Sequence, residues 1–186
     1  MTDTTIAQFV RDDVNCALES GTYLGETTSL LASVPALEQV HSVELSPQLY
    51  ESARARFAGQ PRVRLWLGDS GERFAEALDE IERTLDDPRL LVFCDGHYSG
   101  GETARGNVAS PLRRELEVLA GHGAIVKSVL IDDVRVCFEP GGNPLYTEGW
   151  PDSEELNDLL ADINPGFRIR VDHQARPLSI LVADAA

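Results

Sequence analysis

The side chains best suited to chemistry are acidic and recur at intervals. Glu19, Glu44, Asp69, Asp95 and the pair Asp132-Asp133 each stand at the end of a short apolar run. Between the first two lies Gly21-Thr-Tyr-Leu-Gly25. Gly21 permits a tight turn, and Gly25 lets a ligand or the next helix approach the backbone closely. A carboxylate beside the free N–H groups of a helix start suits a ligand carrying both positive and negative charge. The spacing is Gly-x-x-x-Gly, not the Gly-x-Gly-x-x-Gly of dinucleotide binders. His97 follows Asp95 in a polar, glycine-rich stretch, where an imidazole can accept a proton near neutral pH. His41, His122 and His173 fall in a strand, a helix end and a hairpin link, and read as structural or solvent-exposed.

The elements that must position these groups alternate in type. Ile6, Phe9, Val10 and Val14 have helical spacing and predict an N-terminal helix within 1–15. Cys16-Ala-Leu-Glu19 reads as the first strand, and a helix from Glu26 stops near Pro35. Val40 to Leu45 forms the second strand. Ser46-Pro47 caps a helix that runs to about Gly59. Val63 to Asp69 alternates as a third strand, and Phe74, Leu78, Ile81 and Leu85 line one face of a long helix. Leu90 to Asp95 is continuously apolar, as in a strand buried on both faces. The segment 96–109 is too long and polar for a simple connector and predicts an active-site loop. Ser110-Pro111 opens a helix ended by Gly121 or Gly123, and a strand from Ala124 or Val126 reaches Ile131. A second loop, 138–151, precedes a helix from Ser153 to about Asp162. The runs 167–171 and 178–182, joined by a short polar link, predict an antiparallel pair. The pattern is a doubly wound α/β sheet of seven strands with helices on both faces, whose ligand sits outside the strands' carboxyl ends. One strand-end carboxylate is commonly a helix cap; five strands in succession ending this way exceed what turn chemistry requires.

The chain has 186 residues, 42% of them hydrophobic, which predicts one domain over 1–186. The net charge of −15, from 16 basic and 31 acidic side chains, repels phosphates and anionic membranes. Nucleic acid and membrane are therefore excluded as partners, and most of these charges serve solubility. Cys16, Cys94 and Cys137 are far apart and set in apolar runs, so they read as reduced core thiols. No run is long enough to span a bilayer, and no basic-then-apolar leader is visible, which predicts a cytoplasmic protein.

The order Glu19-x-Gly21-x-x-x-Gly25, then Glu44, Asp69-Ser70 and Asp95, resembles the class I S-adenosylmethionine-dependent methyltransferases. The resemblance spans nearly the whole chain and includes the terminal strand pair that separates this Rossmann-like sheet, with its last strand antiparallel, from dinucleotide-binding sheets. It implies that Glu19 and the Gly21–Gly25 loop, with Thr22, Tyr23 and Thr27, hold the methionine part of the cofactor. It implies that Glu44 takes the ribose hydroxyls, that Asp69 and Ser70 border the adenine, and that Asp95 faces the cofactor. An acceptor carboxylate suits a cis-diol, and carboxylates favour the cofactor's ammonium and sulfonium charges. Glu44 alone would equally suit the ribose of NAD; the glycine spacing and terminal strands favour S-adenosylmethionine.

Asp95, Asp132 and Asp133 further resemble the metal triad of magnesium-dependent O-methyltransferases of the catechol and macrolide-sugar types. Their hard oxygens suit Mg²⁺, which would acidify a substrate hydroxyl. The alternative is that Asp132 and Asp133 cap the loop after the fifth strand. His97, with Asp95, is the catalytic candidate as base. Tyr98 could stack on substrate or merely cover the loop, and Arg105 could pair with a substrate carboxylate or with a surface acid. Trp66 reads as packing, and Trp150 carries no readable role. The expected activity is methyl transfer to a hydroxyl of a small molecule. With no room for a lid domain, the N-terminal helix and the two loops must cover the site, or a neighbouring subunit of a homodimer does. An NAD-type oxidoreductase and a non-catalytic S-adenosylmethionine-binding or partner module are the alternatives.

Overall fold

The structure, a computed structural model, describes residues 6–138, 141–172 and 180–185. Parts of the expected N-terminal helix (4–5), of the late loop (139–140) and of the terminal hairpin (173–179, with His173) lie outside them. The seven strands are β1 (Cys16–Ser20), β2 (Gln39–Glu44), β3 (Val63–Leu67), β4 (Leu90–Cys94), β5 (Val126–Ile131), β6 (Arg168–Asp172) and β7 (Ile180–Asp184). The helices are α1 (Glu26–Ser33), α2 (Pro47–Phe57), α3 (Ser70–Thr84), α4 (Leu112–Ala120), α5 (Arg135–Phe138), α6 (Pro144–Thr147) and α7 (Ser153–Ile163). No helix among the described residues is long and apolar enough to cross a membrane.

The strands form one sheet in the order β3-β2-β1-β4-β5-β7-β6. β1 to β5 are parallel, and β7 runs antiparallel between β5 and β6. The expected terminal pair therefore forms, with Val171 opposite Leu181, and β7 also pairs with β5 through Val129 and Ala183. Every residue of β1 and β4 is buried, as their unbroken apolar runs require of central parallel strands.

Alternation along the strands divides the core into two layers. Cys16, Leu18, Val92 and Cys94 face α3, α4 and α7, which contribute Phe74, Leu78, Leu116, Leu119 and Leu160. Ala17, Val40, Leu91 and Phe93 face the opposite way, toward Ile6, Phe9, Leu31 and Leu37. α3 starts where expected because the Asp69 carboxylate accepts from Gly71 N at 2.9 Å. α2 starts at Pro47 behind the Ser46 cap. The three cysteines are free and buried.

Among the described residues the expected N-terminal helix is replaced by a 3₁₀ turn, Ile6–Phe9. Ile6, Phe9 and Val14 are all buried, so one turn followed by extended chain satisfies the apolar spacing. Arg11 then holds Asp13 through Nε at 2.8 Å and the Ala185 carbonyl through a second nitrogen at 2.7 Å. Those bonds fix residues 11–13 as a turn rather than a second turn of helix.

His41 is fully buried in β2. Its Nδ1 accepts from Trp66 Nε1 at 3.1 Å, and Nε2 lies 3.0 Å from Gln39 Oε1. That pair of contacts requires a neutral ring with the proton on Nε2. Burial, with the charge of Arg64 added, depresses its pKa from 6.5 to about 4. As pH falls below 6.5 the unfolded chain takes up the proton first, so stability is lost between about 6.5 and 4. Between about pH 7.5 and about pH 5, His41→Gln should lose about 2 kcal/mol less than the wild type, read as urea midpoints. Equal losses would mean that His41 is protonated in the folded state.

Candidate functional site

After β3 the chain returns to the other side of β1, so β1 and β4 are neighbours whose connections leave in opposite directions. A crevice opens at the carboxyl ends there. It contains a cavity of about 360 Å³, within the size range of small-molecule sites. Its walls carry Gly21 and Tyr23 after β1, Glu44 and Leu45 after β2, Asp69 and Ser70 after β3, and Asp95 to His97 after β4. Much of the remaining wall comes from the 99–109 segment, including Gly106 and Val108. The 96–109 segment thus lines the cavity.

The turn after β1 is held from two sides. Gly21 has φ +82°, and a Cβ there would lie 2.3 Å from the Asp95 carbonyl oxygen. Tyr23, at φ +48°, donates its N–H to Glu44 Oε2 at 2.8 Å. The other Glu44 oxygen accepts from Ser46 N at 2.8 Å. Glu44 is 5% exposed and still reaches the cavity wall. Each of its oxygens therefore keeps one lone pair beyond the backbone bond it accepts.

Several residues expected to contact a ligand take other places. Glu19 is 1% exposed and does not line the cavity; its Oε2 accepts from Thr28 and, at 2.6 Å, from Ser42. Thr22 continues that network through Ser42 at 2.6 Å. Glu19 lies beneath the turn because odd-numbered residues of β1 face α1, and Thr22 joins it through the shared Ser42 hydroxyl. Gly25, at the start of α1, lies against the end of α2, where a Cβ on it would meet the Phe57 ring at 2.8 Å. Thr27 is buried in the first turn of α1, off the cavity wall. Tyr98 stacks on Tyr146 with 5.6 Å between centroids and 7° between planes. Arg105 pairs with Glu148. Neither lines the cavity. Together they fasten the 96–109 loop to the 141–150 segment, helped by Ala109 and Ser110 N–H groups on the Glu148 carbonyl. The two segments are thereby joined, and of the two only 96–109 lines the cavity.

Asp95, Asp132 and Asp133 do converge, since β4 and β5 are neighbours, and His97 stands among them. His97 Nδ1 is 3.5 Å from Asp95 Oδ1, and Nε2 is 3.3 Å from Asp133 Oδ2. Trp150 packs against the ring at 5.3 Å between centroids, a role its sequence position did not disclose. Burial raises the Asp132 carboxyl from 3.8 to about 6, with the Asp133 charge adding to it and hydrogen bonds opposing it. Burial also acts to raise Asp133, but contacts with His97 and the Arg135 guanidinium outweigh it and leave that carboxyl below the usual range. The Oδ1 atoms of Asp132 and Asp133 are buried without hydrogen bonds. As the side chains stand, no group of three His, Cys, Asp or Glu among the described residues is placed to hold a metal ion.

Solved structures similar to this one include methyltransferases. A protein from Staphylococcus aureus described as a caffeoyl-CoA O-methyltransferase superimposes with a TM-score of 0.61 at 16% identity, over 97% of this chain and 81% of its own. An S-adenosylmethionine-dependent methyltransferase from Aquifex aeolicus gives 0.55 at 16% identity, over 97% and 87%. The N-terminal domain of EvdMO1, solved with SAH bound, gives 0.54 at 17% identity, over 94% and 76%. No protein-family model matches the sequence, and no curated protein matches it. The chain has the Rossmann-like methyltransferase fold. In this fold the antiparallel β7 between β5 and β6 is the feature that the terminal strand pair announced.

Glu115 was not foreseen. It is buried on α4 and accepts from Ser70 Oγ at 2.5 Å. Its spacing from Leu112 and Leu119 put an acid on the buried stripe of that helix, which was the available signal.

The Gly21 contact gives a direct test. Gly21→Ala should lower stability by at least about 2 kcal/mol, because the added methyl meets a backbone oxygen at a positive φ. Gly59→Ala, with nothing within 4 Å of its Cβ, should change stability by less than about 0.5 kcal/mol. Urea denaturation of both variants checks this, and equal midpoints would refute the close approach.

Proposed function

We propose that the chain catalyses S-adenosylmethionine-dependent methyl transfer to a hydroxyl of a small molecule. The observation that carries this is the cavity at the β1–β4 seam of a methyltransferase fold, with Glu44 on its wall and lone pairs to spare. The cofactor supplies a methyl group on a sulfonium, which an oxygen nucleophile can displace in line. Glu44 suits the two ribose hydroxyls, and Asp69 and Ser70 border the adenine. Asp95 faces the sulfonium side, where a carboxylate favours positive charge. The cover of 96–109 on 141–150 excludes water from the reacting atoms.

His97 takes the proton of the acceptor hydroxyl. A neutral imidazole donates through one nitrogen only, so the ring can hold one neighbouring aspartate and accept through the other nitrogen. The second aspartate then stabilises the charge that the ring acquires. A metal-assisted reading has its own support in the buried Oδ1 of Asp132, which has no hydrogen bond, while Oδ1 of Asp133 has only the Arg135 guanidinium, 3.3 Å away. With Asp95 these two aspartates would hold Mg²⁺ if His97 left its place between the carboxylates, and the ion would acidify the acceptor hydroxyl.

Calorimetry with S-adenosylmethionine should show binding, weakened by about 1–3 kcal/mol in Glu44→Ala. Unaltered affinity in a folded variant would refute the assignment of Glu44. Turnover should drop by about 10²–10⁴-fold in His97→Ala and survive exhaustive dialysis against chelator. Loss of activity on dialysis, restored by Mg²⁺, would transfer the role from His97 to the three aspartates.

A further inference from the structure

Glu115 lies one helical turn after Leu112 and beside Leu116, on the face of α4 that packs on the sheet. It is 1% exposed, the one acid among the buried residues Leu112, Leu116 and Leu119 of that helix. Ser70 donates to its Oε1 at 2.5 Å, and the Ser20 hydroxyl and Cys94 thiol lie near enough to its carboxyl to favour its charged form against the opposing effect of burial. These donors belong to three different segments: the end of β1, the start of α3 and the end of β4. Ser20 Oγ in turn accepts from Asp95 N at 3.2 Å. Gly96 lies so close that a Cβ on it would meet Ser20 Oγ at 3.0 Å. The start of α3 is equally tight against α4, where a Cβ on Gly71 would lie 2.8 Å from Arg114 Cγ.

We propose that Glu115 is a positioning residue for the cofactor site: its single carboxyl ties together the wall segments after β1, β3 and β4. Ser20 precedes Gly21, Ser70 is itself on the wall, and Cys94 precedes Asp95, so each donor is at or next to a cavity residue. Packing alone does not require an acid here, because an apolar side chain of that length would join Leu112, Leu116 and Leu119 without desolvating a carboxyl. The acid fixes where three backbone segments stand relative to one another, and α4, which follows directly from the 96–109 cover, carries that constraint. The inference rests on the cofactor reading above.

The test is S-adenosylhomocysteine binding by calorimetry alongside thermal denaturation, for Glu115→Met, Glu115→Gln and Ser20→Ala. Glu115→Met should fold with a midpoint at or above that of the wild type and bind at least about tenfold more weakly. Glu115→Gln, which keeps an acceptor for Ser70, should stay within about threefold. Losses in Glu115→Met and Ser20→Ala should not add when combined, since both release the end of β4. Undiminished affinity in Glu115→Met, or additive losses, would overturn the proposal. If Glu115→Met does not fold, Ser20→Ala decides: the proposal stands on a several-fold loss and falls on wild-type affinity. A wild-type protein that binds neither S-adenosylmethionine nor S-adenosylhomocysteine overturns the cofactor reading, and this inference with it.

Discussion

The turn after β1 presses against the carbonyl of Asp95, and only a residue without a side chain fits at position 21. A Cβ there would lie 2.3 Å from that oxygen. Because β1 and β4 are neighbours with their connections leaving in opposite directions, this contact closes the floor of the crevice. Everything above it takes its position from the seam. Glu44 grips Tyr23 N and Ser46 N, so the acid of the second strand holds the turn of the first. Asp69, while capping α3 through Gly71 N, forms the opposite wall.

The acids of the site divide into two kinds according to strand parity. Odd positions of β1 face α1, and Glu19 there meets Thr28 and Ser42 in a buried network. Even positions face α4, and Ser20 there meets Glu115. Glu19 and Glu115 thus brace the seam from opposite sides of the sheet, while Glu44, Asp69 and Asp95 face the cavity. A buried carboxylate without donors would be costly, and each bracing acid is supplied with hydroxyls. Of the cavity-facing acids, Glu44 accepts one backbone N–H on each oxygen and keeps a lone pair on each.

Around His97 the problem is charge. Asp95, Asp132 and Asp133 converge from two neighbouring strands, and like charges so placed cannot all remain ionised without compensation. Two compensations are visible: the imidazole between Asp95 and Asp133, and the raised carboxyl of Asp132. Asp133 reaches this place through a left-handed backbone, φ +52°, unusual for a residue other than glycine. Asp133 meets both His97, at 3.3 Å, and Arg135, at 3.3 Å.

The sequence by itself determined the sheet, the order of its elements and the strand ends at which acids gather. Those are set by local regularities: period two in strands, 3.6 in helices, a proline after a serine cap, a glycine in a turn. The same regularities misread residues 6–14, because apolar spacing shows which side chains are buried and not whether a helix or a turn buries them. Only the tertiary structure decided which acid faces the cavity and which is consumed in the frame. Glu19 and Glu44 end their strands alike in sequence, yet the first meets Thr28 and Ser42 and the second meets backbone amides and open space. Arg105 met Glu148, 43 positions away, and Ser70 met Glu115, 45 positions away. A side chain's partner at such separations is fixed by how helices and loops pack, and no pattern confined to neighbouring residues records it.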